Sequence, residues 1–267
     1  ENLEIYIPNG PRLGTNVIEA KNVAKAFGDK LLYDNLNFTL PQAGIVGIIG
    51  PNGAGKSTLI KGALGLIKCQ SGQTYIQGES LAKVRDQIAY VEQRSAVDLT
   101  FPINVLDLVL TGTYPKLGLF KSPGPLEKQA ALEALAQVDL VDFKERQIGS
   151  LSGGQLQRVF VARAIVQDAT VIILDEPFVG IDMSSEQKIM GILKKWSDVG
   201  KTIIVVNHDL NKVTQYFDDL VIIQRGIVAQ GPVTETYQMA NIQKAFSLDF
   251  GKLLFEQDIT GDSEDHG

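Results

Sequence analysis

The sequence predicts an α/β fold built on a mainly parallel, buried sheet. Three observations carry that expectation: short uninterrupted apolar runs, a glycine-rich turn that joins one run to a helical segment, and a proline-broken stretch of different character between the runs. The runs are Ile45–Ile49, Ile88–Val91, Val171–Leu174, Ile203–Val206 and Leu220–Ile223. Strict alternation of apolar and polar residues marks a strand with one wet face. Four or five apolar residues in succession mark a strand covered on both faces, as a parallel sheet flanked by helices requires. With 267 residues, 44% hydrophobic and 21% charged, the chain has enough apolar material for one sizeable core.

The glycine-rich turn is Gly50-Pro51-Asn52-Gly53-Ala54-Gly55-Lys56-Ser57, which follows the run Ile45–Ile49 and precedes a helical segment over 58–66. The proline-broken stretch runs from about Ser95 to Gln147 and holds Pro102, Pro115, Pro123 and Pro125, with an Ala/Leu-rich helical segment over 126–138. It reads as a separate helical lobe. Residues 1–16 carry Pro8, Gly10, Pro11 and Gly14, and the chain ends in an acidic, polar run from Asp262 to Gly267, so both ends read as loosely ordered.

Charge and composition narrow the function classes. The formal net charge of −6, with no long Lys/Arg run, argues against a nucleic-acid partner, whose phosphates an acidic surface repels. One cysteine, Cys69, permits no intramolecular disulfide, and no Cys/His cluster offers a zinc site, so a reducing compartment is expected. The longest apolar runs fall far short of the roughly 20 residues that cross a bilayer. No signal-peptide-like apolar segment opens the sequence, so secretion is not expected.

Three motifs carry chemistry. The turn from Gly50 to Ser57 matches the phosphate-binding loop and stands where that loop must, between a strand and a helix. Glycines let successive N–H groups face one concavity, the helix N-terminus adds positive potential, Lys56 reaches the terminal phosphates, and the Ser57 hydroxyl can ligate magnesium. The run Val171–Leu174 ends in Asp175-Glu176-Pro177, two adjacent carboxylates at the C-terminal end of a buried strand, where α/β proteins seat their ligands. Asp175 is the expected magnesium partner and Glu176 the group that orients or deprotonates an attacking water. On a surface loop adjacent acids are usually solvated charge; the hydrophobic strand before them and the phosphate loop elsewhere favour chemistry. Leu151-Ser152-Gly153-Gly154-Gln155 precedes an apolar helix face of Leu156, Val159, Phe160 and Ala164. Ser152 reads as an N-cap, and the two glycines bare the backbone, which makes a second helix N-terminus suited to an anion.

Together these motifs make the chain resemble the ABC transporter nucleotide-binding domains from about Val17 to Gly231, and Leu151–Gln155 is identical to that family's signature sequence. The resemblance implies a phosphate-loop NTPase (RecA-like) core with an antiparallel β subdomain and an inserted α-helical subdomain at about 95–160. It also implies an N-terminal extension at 1–16 and a C-terminal extension with an acidic tail at 232–267. ATP and magnesium are the implied ligands: residues 50–57 and Thr58 hold the phosphates, while Ser57, Gln93 and Asp175 hold the metal. Gln93 matches the glutamine that senses magnesium and γ-phosphate, and His208, after Ile203–Val206, matches the switch histidine. Leu151 to Gln155 close over the nucleotide of a second subunit, so a homodimer with composite sites is implied. Asp182 matches a residue of communication across that dimer. Two departures stand out: Phe27 occupies the place of an adenine-stacking tyrosine, and the turn after the acids reads Phe178-Val179-Gly180-Ile181-Asp182. A phenyl face stacks as well as a phenol, so binding should survive.

The phrases Phe101-Pro-Ile-Asn-Val, Gly112-Thr-Tyr-Pro, Glu145-Arg-Gln-Ile and Asn207-His-Asp-Leu are most similar to ATPases of bacterial manganese/zinc import, with iron or iron-chelate import the nearest rival. The implied setting is the cytoplasmic face of the membrane, with permease subunits as partners and an extracytoplasmic metal-binding protein as an indirect one. A groove beside Gln93, supplied by Val97, Leu99, Phe101, Tyr114 and Leu117, is expected to receive a short helix of the membrane subunit. Soluble ABC ATPases of repair or translation fit less well: there is no long coiled-coil segment at 59–150, and there is one phosphate loop.

Overall fold

The computed structural model describes residues 17–27, 30–67, 69, 71–117 and 121–246. Ten strands appear among them: β1 (Ile18–Phe27), β2 (Lys30–Leu40), β3 (Gly44–Ile49), β4 (Ser71–Ile76), β5 (Glu79–Ser80), β6 (Ile88–Val91), β7 (Val171–Asp175), β8 (Thr202–Asn207), β9 (Asp219–Ile223) and β10 (Ile227–Pro232). Six form a sheet of order β10-β9-β3-β8-β7-β6, parallel except for β10 at its edge. The other four form an antiparallel sheet of order β2-β1-β4-β5.

Period-two alternation divides each parallel strand between two cores. Ile172 and Leu174 of β7 face one cluster of buried residues, with Ile203 and Val205 of β8. Val171 and Ile173 face the other, with Ile204 and Val206. The first cluster continues into the helices; the second lies between the parallel sheet, the antiparallel sheet and the helix Lys56–Ala63. This double coverage is why the strands read as unbroken apolar runs.

The expected helical lobe is present as Val105–Leu110, Pro125–Gln137 and the long signature helix Gly153–Gln167. Asn104 caps the first, accepting from the Asp107 N–H at 2.8 Å, and Pro125 opens the second, where a missing N–H costs nothing. Val109, Ala131, Ala134, Leu135, Leu156 and Val159 are fully buried against one another and join the larger core cluster. The lobe therefore shares the core of the sheet.

Two outcomes differ from the sequence reading. The helix expected at 58–66 is Lys56–Ala63, because Gly65 turns left-handed at φ 64° and ends it. The boundary expected at 232 cuts through packed structure: Val233, Ile242 and Ala245 are buried in the larger cluster, and short helices at Val233–Thr236 and Met239–Ala245 lie beyond it. The expectations for 1–16 and for the acidic tail lie outside the described residues.

Candidate active site

β3 delivers the chain to the phosphate loop at the C-terminal edge of the parallel sheet. Gly50 is required there by contact: a Cβ would lie 2.2 Å from the carbonyl oxygen of Ile223. Gly53 and Gly55 have φ of 77° and 93°, and Gly55 starts the helix without a side-chain cap. The uncapped helix N-terminus, with its positive potential, therefore opens onto the loop, which is the arrangement an anion wants. Lys56 is only 5% exposed, and its Nζ donates to the carbonyls of Gly50 (2.7 Å) and Pro51 (3.1 Å). Burial pushes its pKa down, while Glu176 and Asp175 pull it back up. A buried ammonium held by two carbonyls keeps a third donor for an incoming phosphate oxygen.

Asp175 ends β7 at 1% exposure. Its Oδ1 accepts from the Ser57 hydroxyl at 2.8 Å and its Oδ2 from the Tyr90 hydroxyl at 3.0 Å. A hydroxyl and a carboxylate from residues distant in sequence thus meet beside the phosphate loop. Hard oxygen donors of this kind, short of a full set, fit magnesium that keeps waters and phosphate oxygens in its other positions. Among the described residues no His/Cys/Asp/Glu group forms a metal cluster. Burial, then the neighbouring Asp175, pushes the Tyr90 phenol far up, so it remains a hydrogen-bond donor.

Glu176 adopts φ 50°, a strained conformation for a side chain of this kind, and its N–H is held by the Val206 carbonyl at 3.0 Å. Gln93 Nε2 donates to Glu176 Oε2 at 2.6 Å, and His208 Nδ1 stands 3.5 Å from Oε1. The sharp turn lifts Glu176 out of the sheet and aims it between these two groups. Lys56, Ser57, Gln93, Asp175, Glu176 and His208 therefore come together. The Phe27 backbone ends β1, and its side chain lies outside the described residues.

The signature forms a second cluster. Ser152 caps the helix Gly153–Gln167 in a reciprocal box: the Gln155 N–H donates to Ser152 Oγ (3.2 Å) and the Ser152 N–H to Gln155 Oε1 (2.9 Å). Asp182 caps the helix Met183–Asp198, accepting from the Ser185 N–H and hydroxyl, both at 2.9 Å, and those bonds hold its carboxyl below the ordinary range. The two caps touch, because a Cβ on Gly154 would lie 2.3 Å from Ser185 Oγ and 2.8 Å from Asp182 Oδ2. Among the described residues no hydrogen bond of Leu151–Gln155 or Asp182 reaches the phosphate loop of the same chain.

Two residues escaped the sequence reading. Tyr90 sits in a buried run where a phenol needs a partner, which was its one visible signal. Arg94 follows Gln93 and lies over Gly153, where a Cβ would be 2.5 Å from its Nη1; nothing in the sequence signals that contact. Close to Gln93 in sequence lies an opening of about 440 Å³ bordered by Tyr90, Glu92, Val97, Pro115, Phe160 and Arg163; of the residues expected to supply a groove, Val97 is the one that lines it. Leu117 does not line it, but faces a separate hollow of about 230 Å³ with Leu126 and Val166. Leu99 packs against the core, whereas Phe101 (61%) and Tyr114 (52%) are exposed.

Comparison with known proteins places this geometry. A family model described as ABC transporter matches residues 33–179. The manganese transport system ATP-binding protein MntB of Listeria monocytogenes is 54% identical over 229 residues, covering 86% of this chain and 95% of its own. The zinc transport system ATP-binding protein TroB of Treponema pallidum is 42% identical over 248 residues, covering 93% of this chain and 92% of its own. Among solved structures, a dimeric ATP-binding cassette in a post-hydrolysis state with ADP and Pi matches with a TM-score of 0.71 and 28% identity, over 81% of this chain and 98% of that one. With the phosphate loop, the paired acids and the signature each in place, the chain belongs to the ABC transporter family, as an ATP-binding subunit.

Proposed function

We propose that this chain hydrolyses ATP within a homodimer to power import of a divalent transition metal, manganese ahead of zinc, through separate membrane subunits. The observation that carries the ATPase reading is the placement of Glu176, held by Gln93 and facing His208, beside the Ser57–Asp175 pair. The phosphate loop and Lys56 bind the phosphates, and Ser57 and Asp175 hold magnesium, which when bound neutralises phosphate charge. Glu176 orients the attacking water and accepts its proton. Gln93 fixes the carboxylate from one side, and His208 stands on the other, where it can meet charge developing on the phosphate.

The metal cargo is supported by the names of the relatives, two of which carry manganese and zinc transport. No described helix is long and apolar enough to cross a membrane, so in this reading the pathway for the metal belongs to partner subunits at whose cytoplasmic face the chain works. The groove bordered by Val97 and Pro115 suits a short helix of such a partner, and an extracytoplasmic protein would deliver the metal.

Steady-state hydrolysis and nucleotide binding test the chemistry together. Glu176→Gln should slow turnover by about 10²–10⁴-fold while ATP still binds, because it removes proton acceptance and leaves ground-state contacts in place. Lys56→Ala should instead weaken binding. Wild-type turnover in Glu176→Gln would remove Glu176 as the base. For the cargo, metal content of cells lacking the gene should show manganese falling first; unchanged manganese and zinc would overturn the import reading.

A further inference from the structure

We infer that Tyr90 is a positioning residue for the magnesium-holding carboxylate: its phenol hydroxyl fixes the orientation of Asp175. The inference rests on the ATPase reading above and adds a residue to it. On the β6/β7 ladder Tyr90 pairs with Ile173, and Asp175 lies two residues further along, on the same face. That register aims the phenol at the carboxylate, and the hydroxyl donates to Oδ2 at 3.0 Å.

Asp175 has two oxygens and two donors. Oδ1 accepts from Ser57 and Oδ2 from Tyr90. The two donors are not equivalent, because Ser57 is itself a ligand candidate. A hydroxyl has two lone pairs beside its proton, so Ser57 can ligate a cation and still donate to Oδ1; its orientation then answers to the cation as well as to Asp175, whereas the Tyr90 hydroxyl answers to Asp175 alone. The Tyr90 bond then remains as the anchor that stops the carboxylate rotating about its own axis. Without it Oδ2 would be a buried acceptor with no donor among the described residues. Oriented partners of this kind behind a metal ligand typically matter by 10-fold or more in metal affinity.

Tyr90 has a second environment, which must be kept apart from the first. Its ring is half-buried and borders the 440 Å³ groove, so removing the ring would disturb packing as well as the hydrogen bond. Tyr90→Phe removes the hydroxyl and keeps the ring.

The test uses the full chain and a fluorescent trinitrophenyl analogue of ATP. Binding is titrated with magnesium chloride and, separately, measured in EDTA, with thermal melting recorded for each protein. Tyr90→Phe should raise the half-saturating magnesium concentration about 10-fold while affinity in EDTA stays as in wild type. Tyr90→Leu should show the same magnesium shift together with a lower melting temperature. If wild type responds to magnesium and Tyr90→Phe responds at the same midpoint, the hydroxyl does not position Asp175, and a lowered melting temperature alone assigns Tyr90 to packing. If nucleotide binding by wild type ignores magnesium, the ATPase reading itself fails, and this inference with it.

Discussion

At the scale of single residues, the site depends on atoms that leave no room for alternatives. Gly154 sits where the signature helix meets the cap of the next helix, with Ser185 Oγ and Asp182 Oδ2 in the space of its missing Cβ. Gly154→Ala should therefore cost about 1–3 kcal/mol of stability, the usual range for an added group in a packed site, read from chemical denaturation. Ser185 Cβ would lie 2.8 Å from the new methyl, so the hydroxyl and the Cβ both collide. Adding Ser185→Gly should recover part of the loss, whereas no recovery would show that the strain lies elsewhere. Lys56, Asp175 and Glu176 were legible from sequence because each follows an apolar strand in a motif whose chemistry dictates the residue type. Tyr90 and Arg94 were not, since their roles arise from contacts across the fold: Tyr90 reaches Asp175 from 85 positions away, and Arg94 covers a glycine of the signature.

At the scale of elements, legibility followed burial. The five parallel strands announced themselves through unbroken apolar runs, because both faces are covered. The antiparallel sheet stayed silent except through the family resemblance: β1 reads Ile-Glu-Ala-Lys-Asn-Val-Ala-Lys-Ala-Phe, and register shifts between Ala20 and Val23 and again near Lys25 spoil its alternation. The signature helix ends at Asp168, left-handed at φ 50°, whose carboxylate accepts from Lys201 at 2.6 Å and pairs with Lys116 at 3.5 Å. The Lys201 bond comes first among the causes that hold the Asp168 carboxyl below its ordinary value. A depressed acid contributes stability fully above its unfolded value, about 3.9, and loses it as pH falls through the folded value. Asp168 is mostly exposed, so solvent screening limits the pair to about 0.2–1 kcal/mol. Asp168→Asn, which still tolerates the left-handed turn, should be less stable than wild type by that amount at pH 7. The gap should begin to narrow below about pH 3.9 and close once pH has fallen through the lower folded value. A gap that persists there would assign the effect to the turn and not to the charge.

At the scale of the whole molecule, the proposed homodimer reads the two anion-suited helix starts of one chain as two halves of different sites. The phosphate loop, Asp175 and Glu176 form one cluster, and the exposed Ser152 and its capped helix form another, with no hydrogen bond to the first among the described residues. A second copy placed head to tail would complete both sites, as the implied dimer requires. Two copies of net charge −6 would repel one another, and in the proposed dimer magnesium-bound nucleotide between them would supply what the bare surfaces lack. Glu176→Gln should trap that state, since it binds ATP and turns over slowly. With ATP and magnesium, light scattering should give it twice the single-chain mass of 29.0 kDa, and without nucleotide the single mass. Adding Ser152→Arg should abolish the doubling, because its cation and bulk enter the place where the signature meets the partner's phosphate. ATP affinity at the phosphate loop should stay unchanged, because Ser152 bonds only within its own cap. A Glu176→Gln chain that stays at the single mass in saturating ATP, or a Ser152→Arg chain that doubles as readily, would overturn the sandwich and leave the signature without a ligand.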